Sequence, residues 1–243
     1  LLIQACLNGS REPGAHPALP LTPEELARDA ETVVAKGAQA LHIHPRQADG
    51  KQSLLPQDIA AALTAVRARC PGIAVGVSTG IWIEPDLSLR LRNIQDWRVL
   101  PDFASVNFSE QGVADLCQAL RNLGVGIEAG ISSAAEVELL QKLGLREQCL
   151  RILIEPAETE TEAAMNTIAE IIYALNQTNL QLPRLLHGTE STTWPILDVA
   201  LTYGYDIRIG LEDTLTLPDG GQTQGNAELV SLAMKQATII KEG

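Results

Sequence analysis

Aromatic side chains are scarce in this sequence: three Trp, three Tyr and two Phe in 243 residues. A core of that size must be filled mainly by Ala, Leu, Ile and Val, which favours helices packed on parallel strands over an aromatic-rich sandwich. Clusters of Lys and Arg are missing as well, and the net charge is −12 with a pI near 4.8. Phosphate neutralisation needs such clusters, so the composition argues against a nucleic-acid partner. No apolar run reaches the roughly 18 residues of a membrane span, and no signal-peptide pattern is present. The four cysteines, Cys6, Cys70, Cys117 and Cys149, are far apart and form no CxxC pair. They are expected as reduced core thiols of a cytoplasmic protein, because a chain this long builds a core without disulfides. A Gly/Ser/Pro-rich linker is also lacking, so residues 1–243 are read as one domain.

What the sequence does contain is a regular beat of short apolar runs and longer amphipathic stretches, the pattern of repeated βα units. Strands are expected over 2–8, 40–46, 74–80, 103–109, 124–130, 150–156, 184–190 and 206–213. Helices are expected over 22–37, 56–70, 88–97, 111–124, 133–144, 159–176, 192–204 and 226–240. The first of these carries a Thr cap, Pro at its first turn, Glu three after the cap and a Gly stop. Eight of each is the count of a (β/α)8 TIM barrel, and GxGxxG, which would mark a dinucleotide-binding open sheet, does not follow the first strand. NGSREPGAHPALPL, after that strand, is long enough to cover a site.

Barrel chemistry sits at the carboxyl ends of the strands, and the residues there are of functional types. They are Asn8, then His42, His44 and Arg46, then Ser78, Asn107, Glu128, Glu155, His187 with Glu190, and finally Arg208, Glu212 and Asp213. His42 and His44 are two apart in LHIHPR and so share one face of a strand. Closure brings the last strand beside the first and within reach of the second, which makes His42, His44 and Glu212 a His2Glu set with one open position, the arrangement of catalytic zinc. Two buried structural histidines are the plain alternative, and in GLED the sequence leaves open whether Glu212 or Asp213 turns inward. Arg208 alternates with Gly210 and Glu212, so a permanent cation is expected to pair with Glu128, Asp213 or a substrate carboxylate, or to form an internal ion pair. Ser78 lacks a GxSxG elbow and is assigned to hydrogen bonding. All five lysines fall away from strand ends, which disfavours a Schiff-base aldolase.

These residues carry a resemblance over essentially the whole chain. The first strand ending in NG, HPALPLTPEELA, GAQALHIHPR, VSTG, ASVNFS, IRIGLED and NAELV resemble the β-keto acid cleavage enzyme family, of which 3-keto-5-aminohexanoate cleavage enzyme is the named member. The resemblance implies a (β/α)8 barrel, a homotetramer, and one zinc ion per chain on His42, His44 and Glu212. It implies catalytic roles for Asp213, Arg208, Ser78 and Glu128, and substrate contacts from Asn107, with Asn8, Thr79 and Gly80 also expected at the substrate. The implied reaction condenses a β-keto acid with an acyl-CoA, commonly acetyl-CoA, and releases acetoacetate and a new CoA thioester. The acidic segment with Glu155, Glu158 and Glu160 leaves Arg11, Arg46 and Arg184 as cations for the CoA phosphates. The rival expectations are a zinc-dependent hydrolase or lyase that uses no CoA, and a barrel that only binds a small ligand.

Overall fold

Residues 1–242 are described by a computed structural model. Its strands are β1 (Ile3–Cys6), β2 (Ala40–Ile43), β3 (Ala74–Ser78), β4 (Phe103–Asn107), β5 (Gly126–Ile131), β6 (Cys149–Ile154), β7 (Arg184–Leu186) and β8 (Asp206–Ile209). They alternate with α1 (Pro23–Ala35), α2 (Pro56–Arg69), α3 (Leu87–Gln95), α4 (Val113–Leu123), α5 (Ala134–Lys142), α6 (Thr161–Asn176), α7 (Thr193–Tyr203) and α8 (Asn226–Glu242). The strands pair in parallel in chain order and β8 closes on β1, with Gln4 opposite Arg208. The architecture is therefore the (β/α)8 barrel that the sequence pattern implies.

Local chemistry sets the boundaries. Thr22 Oγ1 accepts from Glu25 N at 3.2 Å while Glu25 Oε2 accepts from Thr22 N at 3.0 Å, so the reciprocal cap of α1 forms as expected. Asp86, whose carboxylate accepts from Leu89 N, starts α3 one residue earlier than expected. All the strands but β5 stop short of their expected ends, most of all β7 and β8. After Ile209 the amides of Asp213 and Thr214 both turn back to the Gly210 carbonyl, which ends the ladder and lifts GLED into a turn.

Strand residues alternate between two environments. Leu41, Ile43, Val75, Val77, Ala104, Val106, Ile127, Ala129, Ile207 and Ile209 face the helices and are wholly buried in an aliphatic shell. Each side chain of that size stabilises the fold by roughly 1.5–3 kcal/mol on burial. The opposite face fills the barrel with Gln4, Cys6, His42, Ser78, Phe103, Ser105, Glu128, Arg151, His187 and Arg208, most of them polar and nearly all closed to solvent.

The seam of the barrel is tied by side chains as well as by the ladder. Asp206 Oδ1 accepts from Leu2 N at 2.7 Å. Asn226, at the start of α8, donates to Leu7 O at 2.8 Å and accepts from Leu211 N at 2.6 Å, so one amide fixes the end of β1 against the turn after β8. The loop after β1 is fastened to the loop before α8 by His16, whose Nε2 donates to Thr223 O at 2.9 Å while Nδ1 accepts from Ala18 N at 3.1 Å. Both nitrogens of this histidine are thus used structurally.

Candidate metal and active site

The backbone of His44 lies just past the end of β2 and has no strand partner there. Asn8 supplies one: its Oδ1 accepts from His44 N and its Nδ2 donates to His44 O, both at 2.9 Å. The second histidine is thereby held in strand register with the first, and their Nε2 atoms stand 3.0 Å apart. Gln52 Oε1 lies 2.6 Å from His44 Nδ1. An amide oxygen can only accept, so Nδ1 carries the proton and the Nε2 lone pair faces inward. Burial holds the His42 pKa well below its ordinary value, against the pull of Glu212, so this imidazole is neutral.

Glu212 reaches the pair from the turn after β8. Its side chain occupies the space that a Cβ on Gly9 would need, and Gly9 has φ +53°, so glycine serves there both for conformation and for close approach. Glu212 Oε1 is 3.4 Å from His44 Nε2 and Oε2 is 3.9 Å from His42 Nε2. Burial alone would raise its pKa, but Arg208 and the two histidines hold the carboxyl well below the usual range, so it is ionised. Among the described residues, Glu212 Oε2 and His42 Nδ1 are buried without any hydrogen-bond partner. An anionic oxygen without a donor, facing two imidazole lone pairs, is costly unless a cation sits among them. The three ligand atoms lie within 4.8 Å of one another, and this is the donor set that suits a divalent transition metal such as zinc.

Arg208 fixes the neighbouring carboxylates. Its NH2 donates to Glu212 Oε1 at 2.6 Å and to Asp213 Oδ1 at 3.1 Å, and its Nε donates to the same Asp213 oxygen at 3.2 Å. His187 Nδ1 is 3.4 Å from Asp213 Oδ1, and its Nε2 is 3.4 Å from Glu155 Oε2. Burial and Arg208 act to lower the His187 pKa, but the two flanking carboxylates outweigh them and raise it to about 9, so the ring is an imidazolium at neutral pH. Asp213 Oδ1 therefore takes two donors from Arg208 and lies against His187, while Oδ2 has no partner among the described residues. The main chain of Asp213 is pinned too, because its carbonyl accepts from Glu190 N at 2.7 Å. Glu190 pays for that contact with a left-handed φ of 51°, the one positive φ at a described residue other than glycine.

A cavity of about 280 Å3 opens above these groups, lined by His42, Ser78, Ser105, Asn107, Glu155, His187, Arg208, Glu212 and the indole of Trp82. Ser78, Asn107, Arg208 and the three metal candidates thus meet where the sequence puts them. A larger surface groove of about 670 Å3 between α5 and α6 brings no comparable set of polar groups together.

Several expectations need correction. Glu128, expected at the mouth, lies below it: it is wholly buried, 3.4 Å from both Arg151 Nε and Gln4 Nε2, because the tilt of the strands sets β5 lower at that register. Arg208 consequently pairs with Glu212 and Asp213 and not with Glu128. Asn8 spends both ends of its amide on His44, and Thr79 Oγ1 donates to Ser105 O at 2.7 Å, so neither lines the cavity. Gly80 is also outside it and instead makes room for the Trp82 ring. Of the cations considered for phosphates, Arg184 opens β7 at the far end of the barrel beside Tyr205, and Arg46 donates to the carbonyls of Gly9, Arg11 and Gly50. Arg11 is paired with Glu190 at 2.5 Å. Glu158 accepts from Thr167 and Glu160 stands at the N-cap position of α6 without a side-chain cap, which leaves Glu155 as the member of the acidic segment that lines the cavity. Ser105, Gln52 and Trp82 were not singled out from the sequence; the inward parity of Ser105 on β4 was the one available signal.

Comparison with known proteins identifies the family and the fold. A 3-keto-5-aminohexanoate cleavage enzyme of Fusobacterium nucleatum subsp. nucleatum is 25% identical over 98% of this chain and 91% of its own length. The enzyme of the same name from Acetoanaerobium sticklandii is 21% identical over the same shares. Among solved structures, a ternary complex of ObcA with a C4-CoA adduct and oxalate has the same fold, with a TM-score of 0.75 and 19% identity over 91% of this chain. This chain spans 64% of that ObcA chain and 62% of its apo form. A sequence model described as beta-keto acid cleavage enzyme matches residues 1–242, and the chain belongs to that family.

Proposed function

We propose that this protein is a zinc-dependent β-keto acid cleavage enzyme that condenses a β-keto acid with acetyl-CoA or another acyl-CoA. His42, His44 and Glu212 would hold one zinc ion per chain, which when bound supplies Lewis acidity toward the keto oxygen. The observation that carries the reading is the set of His42, His44 and Glu212 beside the cavity, with Asp213 next in sequence to the third candidate ligand and buried against Arg208 and His187.

Asp213 Oδ2, buried and outside the cavity lining in this structure, would take a proton from the carbon between the two carbonyls once substrate uncovers it. Arg208 keeps Asp213 oriented and offsets negative charge as it develops. The enolate carbon then attacks the thioester carbonyl. Within the adduct the CoA thiolate moves to the original keto carbon, and cleavage of the adjoining C–C bond releases acetoacetate and the new CoA thioester. Ser78 and Asn107, which line the cavity, would hydrogen-bond the substrate. The ObcA complex with a CoA adduct and the family match support the acyl-CoA; the small cavity supports a short β-keto acid.

Incubating zinc-loaded protein with a panel of β-keto acids and acetyl-CoA should yield acetoacetate together with a new CoA thioester. The acidic wall at Glu155 and the engagement of Arg11 and Arg46 favour a second reading, a zinc-dependent hydrolase or lyase without CoA. Cleavage that proceeds equally well without CoA would establish that one. The four free, buried thiols support a reducing, cytoplasmic setting, and a homotetramer is the assembly that sedimentation should find.

A further inference from the structure

We propose that Gln52 is a positioning residue that links the metal ligand His44 to Trp82 at the mouth of the cavity, so that events at one are felt at the other. The inference rests on the metal reading above and extends it outward. Gln52 Oε1 accepts from His44 Nδ1 at 2.6 Å and from Trp82 Nε1 at 3.2 Å. One oxygen therefore serves two donors, one on a candidate ligand and one on an indole that is 49% exposed and lines the cavity.

The two histidines differ in this respect. Among the described residues His42 Nδ1 has no partner, so its ring has no outward anchor, whereas His44 is held from outside by a directed bond that also selects its tautomer. A bond of that kind keeps the lone pair of Nε2 available and aimed, and its loss typically weakens metal binding.

Trp82 is not on a loose flap. Ile83 N bonds to Gly80 O at 3.0 Å, and Ile81 N bonds to the Glu110 carboxylate at 3.0 Å. Glu110 is in turn fixed by the buried Arg90 at 2.6 Å. The ring lies across Gly80, where a Cβ would collide with it. With its turn anchored, the indole responds to what happens at Gln52 and in the cavity more than to motion of the loop. Trp97 and Trp194 are buried, at 1% and 8% exposure, so Trp82 is the tryptophan whose emission senses the mouth.

The test measures zinc affinity by competition with a chromophoric chelator, and tryptophan emission during zinc titration, in wild type, Gln52→Ala, Gln52→Glu and Trp82→Phe. Gln52→Ala should weaken zinc binding by about 10- to 100-fold, and Gln52→Glu, which keeps an acceptor oxygen at that position, should restore most of it. Zinc should change wild-type emission; the change should vanish in Trp82→Phe, and in Gln52→Ala even at saturating zinc. Unaltered affinity in Gln52→Ala, or an emission change that survives there, overturns the linkage while leaving the metal site standing. No zinc binding by wild type overturns the metal reading and the linkage with it.

Discussion

On β2 and just past its end, His42 and His44 point into the barrel, while Leu41 and Ile43 alternate with them and point out into the helical shell. The same four-residue stretch therefore belongs to two regions with different tasks. Outside the sheet, every strand contributes aliphatic side chains whose burial against the helices stabilises the fold. Inside, the residues are mostly polar and pair in two groups, Gln4 and Arg151 on Glu128 at the floor and Arg208 on Glu212 and Asp213 at the mouth. A closed sheet makes this division possible. Its backbone groups are consumed by the ladder, and the shell alone is extensive enough to hold the barrel shut, so the lumen is free to carry charge.

His44→Ala tests the division most severely. Turnover of a β-keto acid should fall by about 1,000-fold or more and bound zinc should be lost on elemental analysis. The melting temperature, compared between metal-free proteins, should move by only about 3 °C. A collapse of the metal-free melting point would mean that the lumen carries stability as well. Arg151→Ala probes the floor of the lumen, where that is already expected. It strands the buried Glu128 carboxylate and should cost about 3–5 kcal/mol in urea unfolding, much of it recovered by the double change Glu128→Gln with Arg151→Met. Ile43→Ala, between the two histidines, should cost about 2–4 kcal/mol yet leave one zinc per folded chain.

The smallest effect concerns a charge inside the shell. Asp29, partly buried on α1, has its carboxyl raised to about 6 by burial, despite a hydrogen bond from Asn226 at 2.6 Å. Its folded pKa exceeds the ordinary 3.8, so its favourable contribution is complete below about pH 4 and is lost as pH rises through 6. Asp29→Asn removes that dependence. Melting temperatures from pH 4 to 8 should show the variant gaining on wild type by about 1 kcal/mol, water access reducing the full value.

The division was legible before the structure because alternation reports which face a strand residue takes. It correctly paired His42 with His44, and it placed all eight strands. Alternation does not report height, which depends on register and tilt, and Glu128 was misjudged for that reason. It also fails once the strand ends. The sequence left open whether Glu212 or Asp213 turns inward, because β8 stops at Ile209 and the Glu212 carboxylate arrives through a turn braced by Arg208. Gln52 was invisible because its position is made by the pairing of Arg46 with Gln52 outside the barrel strands, where no periodicity exists to follow. The expected strand ends overshot at β7 and β8 because the functional residues above the barrel continue the run of sequence without continuing the ladder.

His44 and Glu212 are 168 residues apart in the sequence and meet across the seam where β8 joins β1. During synthesis the second histidine thus waits for nearly the whole chain to emerge before its partner exists. Premature termination anywhere before the GLED turn leaves an unfinished ligand set, however well the early strands have formed. Once complete, anything held jointly by the three side chains fastens the first-made part of the protein to one of the last, and opening the seam must release it. The active site doubles as a proofreading mark for barrel closure: only a fully threaded chain can bind there.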